Sequence, residues 1–222
     1  MSESTSGHGR ISVAEFHRSP GVADWRVTAA GPEAVFMAES LVQAAGLVGP
    51  VVAAAESLGI RPDIDVRPEA IAVRIPHGGD EGVPAGAPEF AAMVSRAASE
   101  LNLRPDPSRA QSLSIYVAQH SAIDARPFFM AALGYEPMWD SDAVDPLRRG
   151  PSLAFNPIAG DVPSRGRTHM DIYVPADHAQ ARVDAALAAG GRLVDASYAP
   201  MWWTLASPDN HGVDIASGPD LG

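Results

Sequence analysis

Apolar positions change their spacing several times along the chain, and each change predicts an element. Trp25-Arg26-Val27-Thr28-Ala29 and Ala34-Val35-Phe36-Met37 have the short apolar runs of strands, with Gly31-Pro32 as a turn signal between them. Leu41, Ala45, Val48, Val52, Ala55 and Leu58 then recur every three or four positions, the spacing of a helix with one buried face. Pro50 falls inside that run, where its ring either kinks the helix or sits in the first turn of a second segment. Ala70 to Ile75 reads as a strand and Pro88 to Leu101 as a second amphipathic helix. This order predicts an α+β fold, an antiparallel sheet with helices on one face.

The second half repeats itself. Ser114-Ile115-Tyr116-Val117-Ala118 returns 57 positions later as Asp171-Ile172-Tyr173-Val174-Pro175, and Ala131-Ala132-Leu133-Gly134 returns at the same offset as Ala188-Ala189-Gly190-Gly191. One offset that fits both a strand and the end of the helix behind it predicts a duplicated βαβββ module, with a ligand site between the copies. Helices are expected at about Ala125 to Leu133 and Asp177 to Ala189, and the closing strands include Ser152 to Asn156, Trp202 to Ala206 and Val213 to Ala216. Two prolines in the polar stretch Leu103 to Ala110 read as a linker. The predicted order is a disordered tail over 1–12, a first domain over 13–103, a linker over 104–110 and a second domain over 111–218.

Composition narrows the chemistry. All 16 basic residues are Arg, and Cys is absent. That excludes lysine Schiff bases, thiolate nucleophiles, thiolate metal sites and Walker-type phosphate loops. A net charge of -11 disfavours nucleic acid and anionic membranes as partners. No stretch approaches the roughly 18 consecutive apolar residues of a membrane span, and the polar start of the chain is unlike a signal sequence. The expectation is a cytoplasmic protein that acts on or binds a small molecule, forms a homo-oligomer and carries no cofactor.

In the first half, polar groups gather around Glu56, Arg61, Asp63 and the loop Pro76-His77-Gly78-Gly79. A carboxylate beside an imidazole is acid and base equipment; the same residues also read as a solvated helix-end acid, its surface partner and a loop histidine. Val13 to Leu103 resembles the pterin-4a-carbinolamine dehydratase family through Gly21-Val22-Ala23-Asp24-Trp25, the alanine-rich helix, Glu56-x-x-x-Ile60-Arg61-Pro62-Asp63 and the His77 loop. The resemblance implies His77 and Glu56 as proton carriers. It departs from the family where two adjacent histidines are expected, since Ile60 and Arg61 stand there, and Ala87 stands at a downstream acid position. The fold is therefore expected without efficient pterin dehydration, with Arg61 and Asp63 at the site of a different ligand, Arg61 holding an anionic or carbonyl group.

In the second half, Arg167-Thr168-His169-Met170-Asp171-Ile172-Tyr173-Val174 and Ser207-Pro208-Asp209-Asn210-His211-Gly212-Val213-Asp214-Ile215 resemble the vicinal oxygen chelate superfamily, in its glyoxalase-like and bleomycin-resistance-like branch. Metal-using members supply a histidine from the opening strand and an acid from the closing strand of each copy. Here His169 and Asp214 stand at those positions in the second copy, whereas the first offers Ser112 and Ala154 or Phe155. Two protein ligands fall short of the usual catalytic count, so the expectation is a metal-free pocket lined by His169, Asp214 and an indole, Trp203.

Three readings follow: a lyase of hydro-lyase type or an isomerase, a non-catalytic binding or sequestration protein, and an oligomerisation module.

Overall fold

The computed structural model describes residues 9–76, 82–120, 124, 126–138, 142–158, 168–206 and 212–217. The chain divides into two compact units between Ala110 and Gln111.

In the first unit the element order is β1 (Arg10–Ile11), α1 (Val13–Arg18), β2 (Trp25–Thr28), β3 (Gly31–Met37), α2 (Leu41–Gly46), α3 (Val48–Leu58), β4 (Asp63–Val66), β5 (Ala70–Arg74), β6 (Val83–Pro84), α4 (Ala87–Glu100) and β7 (Arg104–Pro105). Strands β2, β3, β5 and β4 pair antiparallel in that order, and β7 pairs with the end of β3. Strand alternation sends Trp25, Val27, Ala34, Phe36, Ile71 and Val73 into one cluster with Val51 and Ala54 of α3 and Phe90, Ala91 and Val94 of α4. The indole of Trp25 meets Phe90 edge-on at 6.0 Å and donates from Nε1 to Ser95 Oγ at 3.2 Å. Gly21, at φ +81°, lies where a Cβ would come within 2.7 Å of Ala92 Cβ, so the turn before β2 can close onto α4 only without a side chain.

Several local expectations change. Gly31 and Pro32 belong to β3 rather than to a turn: Gly31 takes φ +119° and so lets pairing begin at once, and the Pro32 carbonyl accepts from Ile75 N–H at 2.8 Å. The helical run breaks at Leu47, and of the two placements expected for Pro50 the second is found: it is the third residue of α3, in a first turn that needs no N–H from it. Residues 10–12 of the expected tail are ordered, because β1 pairs with β6 and Ser12 caps α1, accepting from Glu15 N–H while its own N–H donates to the Glu15 carboxylate. Nor is 104–110 a free linker. β7 adds to an edge where the missing proline N–H costs nothing, and Asp106 N–H donates to the Val35 carbonyl at 2.8 Å. Leu41 to Leu58 has the length and apolar composition of a membrane span, but buries Ala44, Leu47, Val51 and Ala54 in the core of this unit.

In the second unit the order is β8 (Ser112–His120), α5 (Arg126–Leu133), β9 (Glu136–Met138), β10 (Asp142–Val144), β11 (Ser152–Ile158), β12 (Thr168–Val174), α6 (Ala176–Ala188), β13 (Arg192–Asp195), β14 (Trp202–Ala206) and β15 (Gly212–Ser217). Strand, helix and three strands thus occur twice. All eight strands form one sheet in the order β13-β14-β15-β12-β8-β11-β10-β9, with β8 and β12 antiparallel at its centre. The period of two sorts the side chains by face. Ile115, Val117, Leu153 and Phe155 pack with Phe129 and Met130 of α5, and Val174, Trp203, Leu205 and Ile215 pack with Ala179 and Val183 of α6. The residues between them, Ser112, Ser114 and Tyr116 on β8, His169, Asp171 and Tyr173 on β12, and Asp214 on β15, share the opposite, polar face.

Candidate functional site

The sequence Thr168-His169-Met170-Asp171 is a strand, so positions 169 and 171 lie on one face and Met170 on the other. β15 runs parallel to β12 and sets Asp214 directly beside Asp171. His169 Nε2 lies 3.1 Å from Asp171 Oδ1 and 3.6 Å from Asp214 Oδ2, and one ligand atom from each of the three residues lies within 4.8 Å of the others. Asp171 is only 8% exposed, and among the described residues its Oδ1 finds no hydrogen-bond donor despite the nearby imidazole. At 3.1 Å the contact is short enough for an ion pair, so the fault is angular: the ring N–H is not aimed at the oxygen. Burial, followed by the charge of Asp214, pushes the Asp171 carboxyl up to about 7.

Tyr116 stands across from His169 in the β8–β12 register, and the two rings stack at 5.1 Å and 23°. Its hydroxyl meets that of Tyr173 at 3.4 Å. Burial raises both phenols above their ordinary range, and the carboxylates of Asp171 and Asp142 push the same way. At neutral pH they are proton donors rather than phenolates.

The register also fixes which residues of the other half answer these. Ser112 pairs with Tyr173, Ser114 with Asp171 and Tyr116 with His169, while Ser152 lies beside Ser114 as Asp214 lies beside Asp171. The counterpart of Asp214 is therefore Ser152, not Ala154 or Phe155: sequence spacing alone left the gap before the closing strand open by two residues. Ser112, Ser114 and Ser152 answer His169, Asp171 and Asp214, and Ser114 Oγ and Ser152 Oγ are 2.7 Å apart. The donor set is confined to one half.

The expected site residues fare unequally. His169 and Asp214 come together as expected. Asp171 joins them as a third group that could hold a metal, which removes the ligand-count reason for a metal-free pocket; its signal was the His-x-Asp alternation within a strand. Trp203 is corrected: strand parity puts it in the core against α6, 8% exposed, while Trp202 takes the polar face and stacks on Tyr198 at 4.1 Å. In the first unit Glu56 and Arg61 are exposed, one at the end of α3 and the other in the turn beyond it. Asp63 is no free ligand group, because it opens β4 opposite Arg74 and pairs with that guanidinium at 3.3 Å. Ile60 is part of the core. His77 lies outside the described residues.

A family model described as a glyoxalase-like domain matches residues 114–216. That span begins at Ser114 and so says nothing of residues 13–103. Among solved structures, a glyoxalase/bleomycin resistance protein/dioxygenase superfamily member from Vibrio splendidus 12B01 is similar at 13% identity and a TM-score of 0.33, over 49% of this chain and 99% of that one. An NAD-dependent benzaldehyde dehydrogenase from Legionella pneumophila is similar at 14% identity and a TM-score of 0.35, over 49% of this chain and 98% of that one. No curated protein matches the chain.

Proposed function

We propose that the second unit is a small-molecule enzyme of lyase or isomerase type whose site holds a divalent cation on His169, Asp171 and Asp214. The observation that carries this reading is the convergence of Nε2, Oδ1 and Oδ2, with a buried Asp171 oxygen that no hydrogen bond satisfies. One imidazole and two carboxylates make a donor set suited to Mn²⁺, Fe²⁺, Co²⁺ or Zn²⁺, and three protein ligands leave positions for water or substrate. When bound, such a cation supplies a Lewis acid for a carbonyl or hydroxyl oxygen. The chain's own residues do the rest. Asp171 and Asp214 bring two negative charges to one point, which is costly without a counter-charge and favours cation uptake. Tyr116 and Tyr173 lie on the same face as protonated phenols and donate to an oxygen of the bound molecule.

The raised Asp171 carboxyl supports a second reading, in which Asp171 and Asp214 share a proton and work as a metal-free acid and base. We read the two βαβββ segments as copies of one module, and the first unit as related in fold to pterin dehydratases, with Ile60 and Arg61 unable to serve their chemistry. Thermal-shift titration with Mn²⁺, Co²⁺ and Zn²⁺ separates the two site readings. A melting temperature raised by one of these ions in the wild type, and not in His169→Ala or Asp171→Asn, is expected; no response to any of them leaves the metal-free reading standing instead.

A further inference from the structure

The cation reading needs the imidazole of His169 held in one plane. Ligating histidines are ordinarily fixed by a hydrogen bond from the second ring nitrogen to a carboxylate or carbonyl. Among the described residues, His169 makes its close polar contacts through Nε2, toward Asp171 and Asp214, and Nδ1 has no acceptor. The ring contact found instead is a stack on one side, with room left for Cβ on the other. On β8 the Tyr116 ring lies nearly parallel to it at 5.1 Å. On β15 the neighbour is Gly212, where an added Cβ would come within 3.3 Å of His169 Cβ, so the glycine leaves the room that the histidine's own Cβ takes up. Tyr116 is itself held at its far end by the hydroxyl contact with Tyr173 at 3.4 Å.

We infer that Tyr116 is the positioning residue of the site, its stacked ring fixing His169 where an outer hydrogen bond would otherwise do so. This rests on the cation reading above, and extends it to a residue that touches no cation. For cation binding the stacked ring outweighs the long hydroxyl contact: Tyr116→Phe keeps the stack, while Tyr116→Leu removes it and leaves a residue of acceptable size in the strand.

Co²⁺ titration of the full chain, followed by visible absorption, tests this without a substrate. The wild type is expected to develop d–d bands at one ion per chain, and Tyr116→Phe to match it in band position and within about twofold in affinity. Tyr116→Leu is expected to bind about tenfold or more weakly, with displaced bands, while its far-UV circular dichroism stays that of the wild type. Tyr116→Thr, which suits a strand and lacks a ring, must show the same loss and decides the matter should the leucine variant not fold. Leucine and threonine variants with wild-type affinity and bands overturn the inference and leave the cation reading intact, and so does a phenylalanine variant as impaired as they are. A wild type without d–d bands overturns the cation reading and this inference with it.

Discussion

Ser114 and Asp171 face one another across the central strands β8 and β12, a buried hydroxyl opposite a buried carboxylate. The exchange that carries Ser112 to His169 and Tyr116 to Tyr173 leaves this pair in place, because its members differ by the same 57 positions. The two halves of the sheet therefore share their strand pairing and differ in chemistry. Three hydroxyls on one side answer an imidazole and two carboxylates on the other, and the functional asymmetry enters at Asp171.

Asp171 is expected to cost the cation-free protein stability. Its carboxyl, raised to about 7, holds a proton more tightly when folded than when unfolded. The associated stability is complete below the unfolded value near 4 and is lost as pH rises through about 7. Asp171→Asn should thus be more stable than cation-free wild type at pH 8, by on the order of 2 kcal/mol, and similar to it at pH 4. Urea unfolding at the two pH values measures this. A difference that does not grow with pH contradicts the assignment.

The two adjacent tryptophans should part company. Trp203 fills the core beside Val183 and Leu205, so Trp203→Ala is expected to cost about 3–5 kcal/mol. Trp202 stacks on the half-exposed Tyr198, and Trp202→Ala is expected to cost about 1 kcal/mol. Equal losses in chemical denaturation would contradict a core place for Trp203 and a surface place for Trp202.

Asp145 ties the turn before β11. Its Oδ1 accepts from Leu147 N–H at 3.1 Å and its Oδ2 from Arg149 N–H at 2.9 Å; these bonds and the Arg149 guanidinium lower its carboxyl to about 2. A carboxyl depressed on folding contributes stability that is present above its unfolded value near 4 and is lost as pH falls through about 2. Asp145→Asn should therefore melt below the wild type at pH 6, and the gap should close toward pH 2. A gap that stays constant over that range rules the mechanism out.

The first unit is expected to leave 4a-hydroxytetrahydropterin undehydrated at any rate typical of enzymes. Ile60 is buried in the core and cannot carry a proton, and Arg61 does not give one up at working pH. Turnover of that compound by the purified chain, followed by the disappearance of its ultraviolet absorbance, is the contrary result.

Much of the architecture is legible in the chain, because strands and helices with one buried face carry their period openly. Ile115 and Val117, or Ile172 and Val174, announce both the strand and its apolar side. The errors fall where a residue's role depends on a partner distant in sequence. Gly31-Pro32 has turn chemistry, but β2 pairs with both residues, and the Ile75 N–H just beyond β5 donates to the Pro32 carbonyl. Asp63 reads as an available acid until Arg74 arrives opposite it. Trp202 and Trp203 alternate in either parity until α6 decides which is covered. Asp171 was hidden for a different reason: one histidine and one acid are expected from each half, whereas the third candidate group lies on the same strand as the first.

Anomalous diffraction from crystals of the wild-type protein soaked in Mn²⁺ tests the cation site most directly. The predicted result is one strong peak per chain within about 2.3 Å of His169 Nε2, Asp171 Oδ1 and Asp214 Oδ2, absent from crystals of Asp171→Asn. Ordered density for all three side chains with no peak between them, in crystals that hold Mn²⁺ elsewhere, would contradict it.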